Sequence, residues 1–285
     1  MFNIIEKRKI LFLIPCVIIL AGIISFIIFG GLNTDIDFTG GTAMEIELGQ
    51  KYDEELIRKT IDAVDDVTVS SVQSSGAEGA IVKTTDIPHE KFVEVQEAIK
   101  AAFPAANIKS VDSVSATIGK EMWLNAAKAV IIAVILMLIY ISIRFDRYSG
   151  FSAVLALCHD VLIIISFYAI FQFPVNTTFI AAILTILGYS INATIVVFDR
   201  VRENTRLIRK ESFANIVDKS IWQTMGRSIN TTVTTLITLV ALYVLGVTSI
   251  KQFMLPLLIG VICGAYSSIF ISGQFWVIFK GKKAQ

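Results

Sequence analysis

Apolar and polar positions sort this chain into six long apolar runs, at residues 10–30, 124–143, 151–171, 177–198, 229–245 and 253–279, with a stretch of different rhythm at 31–121. A helix rises about 1.5 Å per residue, so runs of about 20 residues match the roughly 30 Å of bilayer hydrocarbon. The pattern predicts six membrane-spanning helices. The first run exceeds the roughly 7–15 residue apolar core of a secretory signal and no A-x-A pattern follows it, which predicts a retained anchor.

Between the first two runs the period changes. Met44, Ile46 and Leu48 alternate with Glu45 and Glu47, as in a half-buried strand. Asp53 is placed to cap a helix reaching about residue 64, with Leu56, Ile57, Ile61 and Val64 on one stripe. Residues 67–73 and 80–85 read as strands around the turn-like SSGAEG. Pro88 suits the start of a second helix with Phe92, Val95, Ile99 and Phe103 on its apolar face, and residues 108–114 form a last strand. His89 has no ligand-type neighbours and reads as a surface histidine. The order β-α-β-β-α-β predicts a small α+β ferredoxin-like domain. The expected fold class is an α-helical membrane protein: a six-transmembrane-helix bundle with a ferredoxin-like extracytoplasmic domain. Residues 1–30 form a tail and first span, 31–121 the outer domain, and 122–285 a five-helix bundle with a loop at 199–222.

Composition agrees with the pattern. Of 285 residues, 54% are hydrophobic and 17% charged, and the mean hydropathy is +0.70. Basic residues gather at one end of the predicted spans: Lys7, Arg8, Lys9; Arg144, Arg147; Arg200, Arg202, Arg206, Arg209, Lys210, Lys219; and Lys280, Lys282, Lys283. The positive-inside rule then puts both termini in the cytoplasm and residues 31–121 outside. That outer segment has a net charge of −9, which argues against nucleic-acid binding. Cys16, Cys158 and Cys263 fall within apolar runs and are expected to pack as small hydrophobes, with no disulfide or metal spacing.

Polar groups inside the runs are candidates for chemistry, because ionisable side chains in a bilayer are costly and usually face the bundle interior or water. Asp160 lies about nine residues, or roughly 14 Å, into the third run. His159 precedes it about 100° around the helix, so the two are not expected to share a face. Gly188, Tyr189, Ser190 and Asn192 interrupt the fourth run, and Arg227 enters the fifth beside Thr231, Thr232, Thr234 and Thr235. These groups are expected to meet across one internal seam. Asn192, both donor and acceptor, would bridge there, and Arg227 would pair with Asp160 or with a carboxylate from another chain. Gly188, Gly260 and Gly264 read as helix-packing positions.

Several motifs carry a resemblance: Asp37-Phe38-Thr39-Gly40-Gly41 with Thr42, ALCHDV around His159 and Asp160, GYSIN.TIVVFDRVREN including Asp199 and Arg200, and GRSINTTVTTL from Gly226. In this order they closely resemble the SecF proteins of the SecD/SecF family of bacterial protein export, over nearly the whole chain. The resemblance implies half of an RND-type transporter that pairs with SecD, associates with the SecYEG channel and YajC, and uses the proton gradient to draw preproteins outward after SecA has driven them partway. It implies no enzyme activity and no cofactor. It also implies that Arg227 works with carboxylates, one of them from SecD. One position departs: Ala193 stands where the family pattern has an acidic residue, so proton coupling through this half is weakened. The alternatives are an RND-like exporter of small molecules or lipids and a passive translocon scaffold. Gly40 and Gly41 permit a tight turn out of the membrane.

Overall fold

The computed structural model describes residues 4–75, 78–208 and 211–281, and it divides into two compact units, 34–127 and the remainder. Gly76 and Ala77 of the predicted SSGAEG turn, together with Arg209, Lys210, Lys282 and Lys283, lie outside the described residues. The same holds for the His89 side chain.

In the smaller unit the order is α2 (Ile36–Thr39), β1 (Gly41–Glu47), α3 (Glu54–Asp62), β2 (Val69–Ser74), β3 (Gly79–Thr84), α4 (His89–Ala102) and β4 (Asn107–Val114). All strands pair antiparallel in the order β2-β3-β1-β4. Met44 and Ile46 of β1, with Leu48 just after it, close a core with Ile57, Ile61, Val95 and Ile99 from the two helices and Phe103 at the end of α4. Asp53 caps α3 by accepting from the Glu55 N–H at 3.0 Å, as its position predicts. Leu56 departs from the predicted stripe and faces outward. It neighbours Ile57 in sequence, and successive helical residues sit about 100° apart, so only one of the two can face the sheet.

The short helix α2 was not foreseen, and with it the Asp37–Thr42 motif acquires a physical account. Asp35 caps α2 through the Ile36 N–H at 2.7 Å, and its other oxygen takes the Lys83 ammonium at 2.8 Å, both side chains being 9% exposed. Phe38 is buried with its ring 5.0 Å from that of Trp123, while Asp37 is half-buried on α2. Gly40 and Gly41 have φ of +76° and +131°. A side chain on Gly41 would also lie 2.4 Å from the Thr84 carbonyl oxygen. Glycine is required here by backbone angle and by close approach. Thr42 is buried and its hydroxyl accepts from the Ile87 N–H at 3.3 Å, joining the start of β1 to the loop that leads from β3 into α4.

The larger unit is helical: α1 (Arg8–Ile28), α5 from Lys128 onward in Ala116–Arg144, α6 (Arg147–Phe171), α7 (Thr177–Leu207), α8 (Phe213–Leu245), α9 (Thr248–Phe270) and α10 (Ser272–Gly281). Among the described residues six helices are long and apolar enough to cross a membrane. The sixth, Ser249–Lys280, is interrupted at Ile271, so the last predicted run is two helices in succession. Start signals act locally. Asp146 and Ser149 form a capping box at α6, and the Asn176 side chain caps α7 at the Phe179 N–H (3.0 Å) while donating to Gln252 (3.0 Å).

Close contacts in the bundle use small residues. A Cβ on Gly22 of α1 would lie 2.4 Å from the Ser166 Cβ of α6. On α9, a Cβ on Gly260 would lie 2.2 Å from Ile186, and one on Gly264 would lie 3.1 Å from the Ser190 Cβ. This small-xxx-small pair lets α9 approach α7 closely. Gly188, expected to pack likewise, has nothing within 4 Å of an added Cβ, and neither has Gly226. Of the cysteines, only Cys263 is buried, whereas Cys16 and Cys158 face outward.

Candidate functional site

Asp160 sits near the middle of α6 and is fully buried, at 0% exposure. Three groups converge on it. Ser190 of α7 donates to Oδ2 at 2.5 Å, Ser267 of α9 donates to the same oxygen at 2.9 Å, and His159 Nδ1 lies 3.0 Å from Oδ1. A carboxylate is an acceptor only, so with Asp160 ionised the His159 proton resides on Nδ1 and Nε2 becomes an acceptor. One proton can pass along this contact between the two side chains. The His159 Nε2 atom is buried without a partner among the described residues. It borders an apolar cavity of about 200 Å³ lined by Ile14, Ile18, Ile163, Ile262 and Cys263. Tyr266 stacks on the imidazole at 6.2 Å between ring centres and donates to the Leu11 carbonyl at 2.7 Å, which ties α9 to α1.

His159 and Asp160 therefore do share a site, against the expectation from the 100° step. Their Cβ atoms diverge, but the imidazole is long enough to turn its Nδ1 back onto the neighbouring carboxylate.

The single seam is also corrected. Ser190 meets Asp160, but Gly188, Asn192 and Arg227 lie on the outer surface. The reason is helical period: in α7, positions 188 and 192 share a face that position 190 leaves by about 200°. Arg227 does not reach Asp160, and among the described residues its guanidinium has no hydrogen bond or ion pair. Asn192 likewise bridges nothing. Arg227 instead starts an outward stripe on α8 with Asn230, Thr231, Thr234 and Thr238. The threonine hydroxyls are satisfied by their own helix, for example Thr231 donating to the Arg227 carbonyl at 2.8 Å and Thr234 to that of Asn230 at 3.0 Å. Tyr189 reaches Thr235 at 3.4 Å, and Asn204 donates to Ser220 at 2.8 Å, which fixes α7 and α8 as antiparallel neighbours. In that register half-buried Ala193 stands level with Asn230 and Thr231, about one turn from Arg227.

Asp199 and Arg200 serve the end of the bundle. Asp199 pairs with Arg144 of α5 at 3.4 Å. Arg200 binds Glu203 at 2.6 Å and Gln223 at 2.6 Å, and Asn204 donates to the same Gln223 oxygen at 2.8 Å. Sequence reasoning missed Ser267. The signal was a run of small polar residues, Ser267, Ser268, Ser272 and Gln274, all buried, in the last apolar run.

Residues 94–282 match the family described as "Protein export membrane protein SecD/SecF, C-terminal". The chain is 39% identical to the protein translocase subunit SecDF of Bacillus subtilis, covering 98% of this chain but 38% of that relative. It is 37% identical to the protein translocase subunit SecF of Alicyclobacillus acidocaldarius, covering 99% of this chain and 94% of that one. The crystal structure of SecDF, a translocon-associated membrane protein from Thermus thermophilus, superposes with a TM-score of 0.89 at 30% identity, over 98% of this chain and 39% of that one. With six apolar helices of spanning length and this match over most of its residues, the chain is a multi-pass membrane protein that belongs to the SecD/SecF family.

Proposed function

We propose that this chain is a SecF-type subunit of the protein-export machinery. It pairs with a SecD-type subunit that supplies a second six-helix bundle, and the pair assists preprotein translocation across the cytoplasmic membrane using the proton motive force. The observation that carries this reading is the outward polar face of α7 and α8. Helix α1 from Ile10 to Ile28 and residues 129–139 of α5 expose only apolar side chains, whereas α7 and α8 expose Asn192, Arg227 and Asn230 at membrane depth. An unpaired guanidinium against acyl chains is costly, so this face is one that protein covers. Gly188 and Gly226 leave it flat enough for close helix approach. The SecDF relatives, of which this chain matches 38–39%, are long enough to hold a second half in one chain.

In this reading Arg227 faces a carboxylate on the SecD-type partner, and Asp160 with His159 forms a separate proton-holding pair inside this subunit. The basic end of the bundle is cytoplasmic, as are both termini. The outer unit, extracytoplasmic, is ferredoxin-like, a reading supported by its helix and strand order. SecYEG, YajC, SecA and the preprotein are the further partners, the chain is non-enzymatic, and no cofactor is required.

Arg227→Ala in the assembled complex is expected to abolish the part of preprotein export that the gradient stimulates, read as export with and without an uncoupler; a parental response overturns the role given to Arg227. Ala193 favours a second reading, a scaffold that holds SecD and the channel together. That reading is upheld by export that needs this protein yet is indifferent to uncouplers.

A further inference from the structure

At the basic end of the bundle, a cavity of about 190 Å³ lies between the α5–α6 corner, the end of α7 and α10. Its walls include the cations Arg202, Arg206 and Lys280, one acid, Asp146, and the rings of Phe145 and Trp276. None of the three cations has a carboxylate partner among the described residues. The nearby acids are engaged elsewhere: Asp199 with Arg144 at 3.4 Å, and Glu203 with Arg200 at 2.6 Å. Asp146 spends one oxygen on the Ser149 N–H at 2.7 Å, at the N-terminus of α6. Among the described residues the guanidinium of Arg202 makes one hydrogen bond, to the Arg144 carbonyl at 3.3 Å. Lys280 is held over the Phe213 ring at 4.2 Å and the Trp276 ring at 5.7 Å, an arrangement that fixes its position without neutralising it.

A second observation points to a ligand. Trp276 is 3% exposed, and its buried indole Nε1–H has no acceptor among the described residues. A buried donor without a partner is costly and rare. Here it lies on a residue that also lines the cationic cavity. Spans end around this site: α5 stops at Arg144, and α10 ends just beyond Lys280. The cavity therefore opens at the level of lipid headgroups, where tryptophan is favoured and basic pockets between helices take anionic headgroups.

From this geometry we infer that the cavity binds a phosphate oxyanion, supplied by the headgroup of an anionic phospholipid, with Arg202, Arg206 and Lys280 as its charge partners and Trp276 as a neutral donor. The site is distinct from the Asp160 cluster and from the polar face of α8, and it stands independently of the export role.

The test is native mass spectrometry of the full chain released from detergent, with phosphatidylglycerol, phosphatidylcholine or inorganic phosphate added. Phosphatidylglycerol is expected to stay bound where phosphatidylcholine is lost. Arg202→Gln and Arg206→Gln should each weaken phosphatidylglycerol binding about fivefold, the worth of one basic residue near an anionic surface. Trp276→Phe, which keeps an aromatic wall but removes the N–H, should weaken it too without altering the thermal melt of lipid-free protein by more than a few degrees. Inorganic phosphate that displaces the lipid, with the same sensitivity to the three variants, supports the oxyanion site and assigns it to a free anion. Equal retention of the two lipids, or phosphatidylglycerol binding untouched by the arginine variants, overturns the inference.

Discussion

Asp160 holds three helices through one carboxylate: α6 carries it, α7 donates Ser190 and α9 donates Ser267. Removing it leaves two buried hydroxyls and an imidazole to find other partners. Asp160→Ala is therefore expected to destabilise the bundle by about 1–3 kcal/mol, measured as a lower melting temperature in detergent. Asp160→Asn keeps most of the packing but cannot exchange a proton, so it should melt near the parent and lose gradient-stimulated export; full export by this variant would show the acid to be structural. In the smaller unit Lys83→Ala leaves Asp35 buried and unpaired, and about 3–5 kcal/mol of stability should be lost, read as proteolysis of residues 34–127 at lower temperature. At the residue scale the buried acid was legible in the sequence. A buried acid in an apolar run announces itself, because lipid offers it nothing. Of its partners, Ser190 was expected in the same seam, but Ser267 was not, since it lies 107 positions from Asp160 and serine in a span is as often packing. The Asp35–Lys83 pair was hidden for the same reason: a capping aspartate on a four-residue helix leaves no periodic trace.

Elements were easier to read than faces. Length and hydropathy predicted six spans, and each run coincides with a helix long enough to cross a membrane, because the bilayer fixes the length of an apolar helix; the helices themselves continue well past three of the runs, α5 beginning at Ala116, α7 ending at Leu207 and α8 beginning at Phe213. Which side of each helix turns inward depends on packing partners that period alone does not name. The fourth run's polar groups suggest one seam, yet Ser190 points in while Gly188 and Asn192 point out. The α7–α9 contact gives a prediction at this scale. Gly260→Leu forces a side chain into Ile186, already 2.2 Å from an added Cβ, and should cost about 1–3 kcal/mol by overpacking. Gly188→Leu, facing open space, should leave the melting temperature of the isolated chain unchanged while weakening its association with a partner helix. Ala193→Asp is expected to be tolerated, since that position is only half-buried, and to place a carboxylate about one turn from Arg227. Export should then respond more steeply to an uncoupler; an unchanged response would remove position 193 from the coupling path.

For the whole molecule, what is most informative is the contrast between surfaces. Two outward helical faces are wholly apolar and suit lipid, and the third carries a guanidinium and two asparagines without a side-chain partner among the described residues, beside exposed threonines bonded to their own helix. A six-helix bundle built this way is incomplete on one side, and that incompleteness could not be read from hydropathy, which scores α8 as a span like the others. The central claim is that a second six-span subunit covers this face. Photo-crosslinking in native membranes from position 231 on α8, compared with position 24 on α1, tests it most directly. The account predicts a covalent adduct with one SecD-type membrane protein from position 231 and lipid adducts alone from position 24. Lipid adducts alone from both positions, with no second six-span protein recovered, would contradict it.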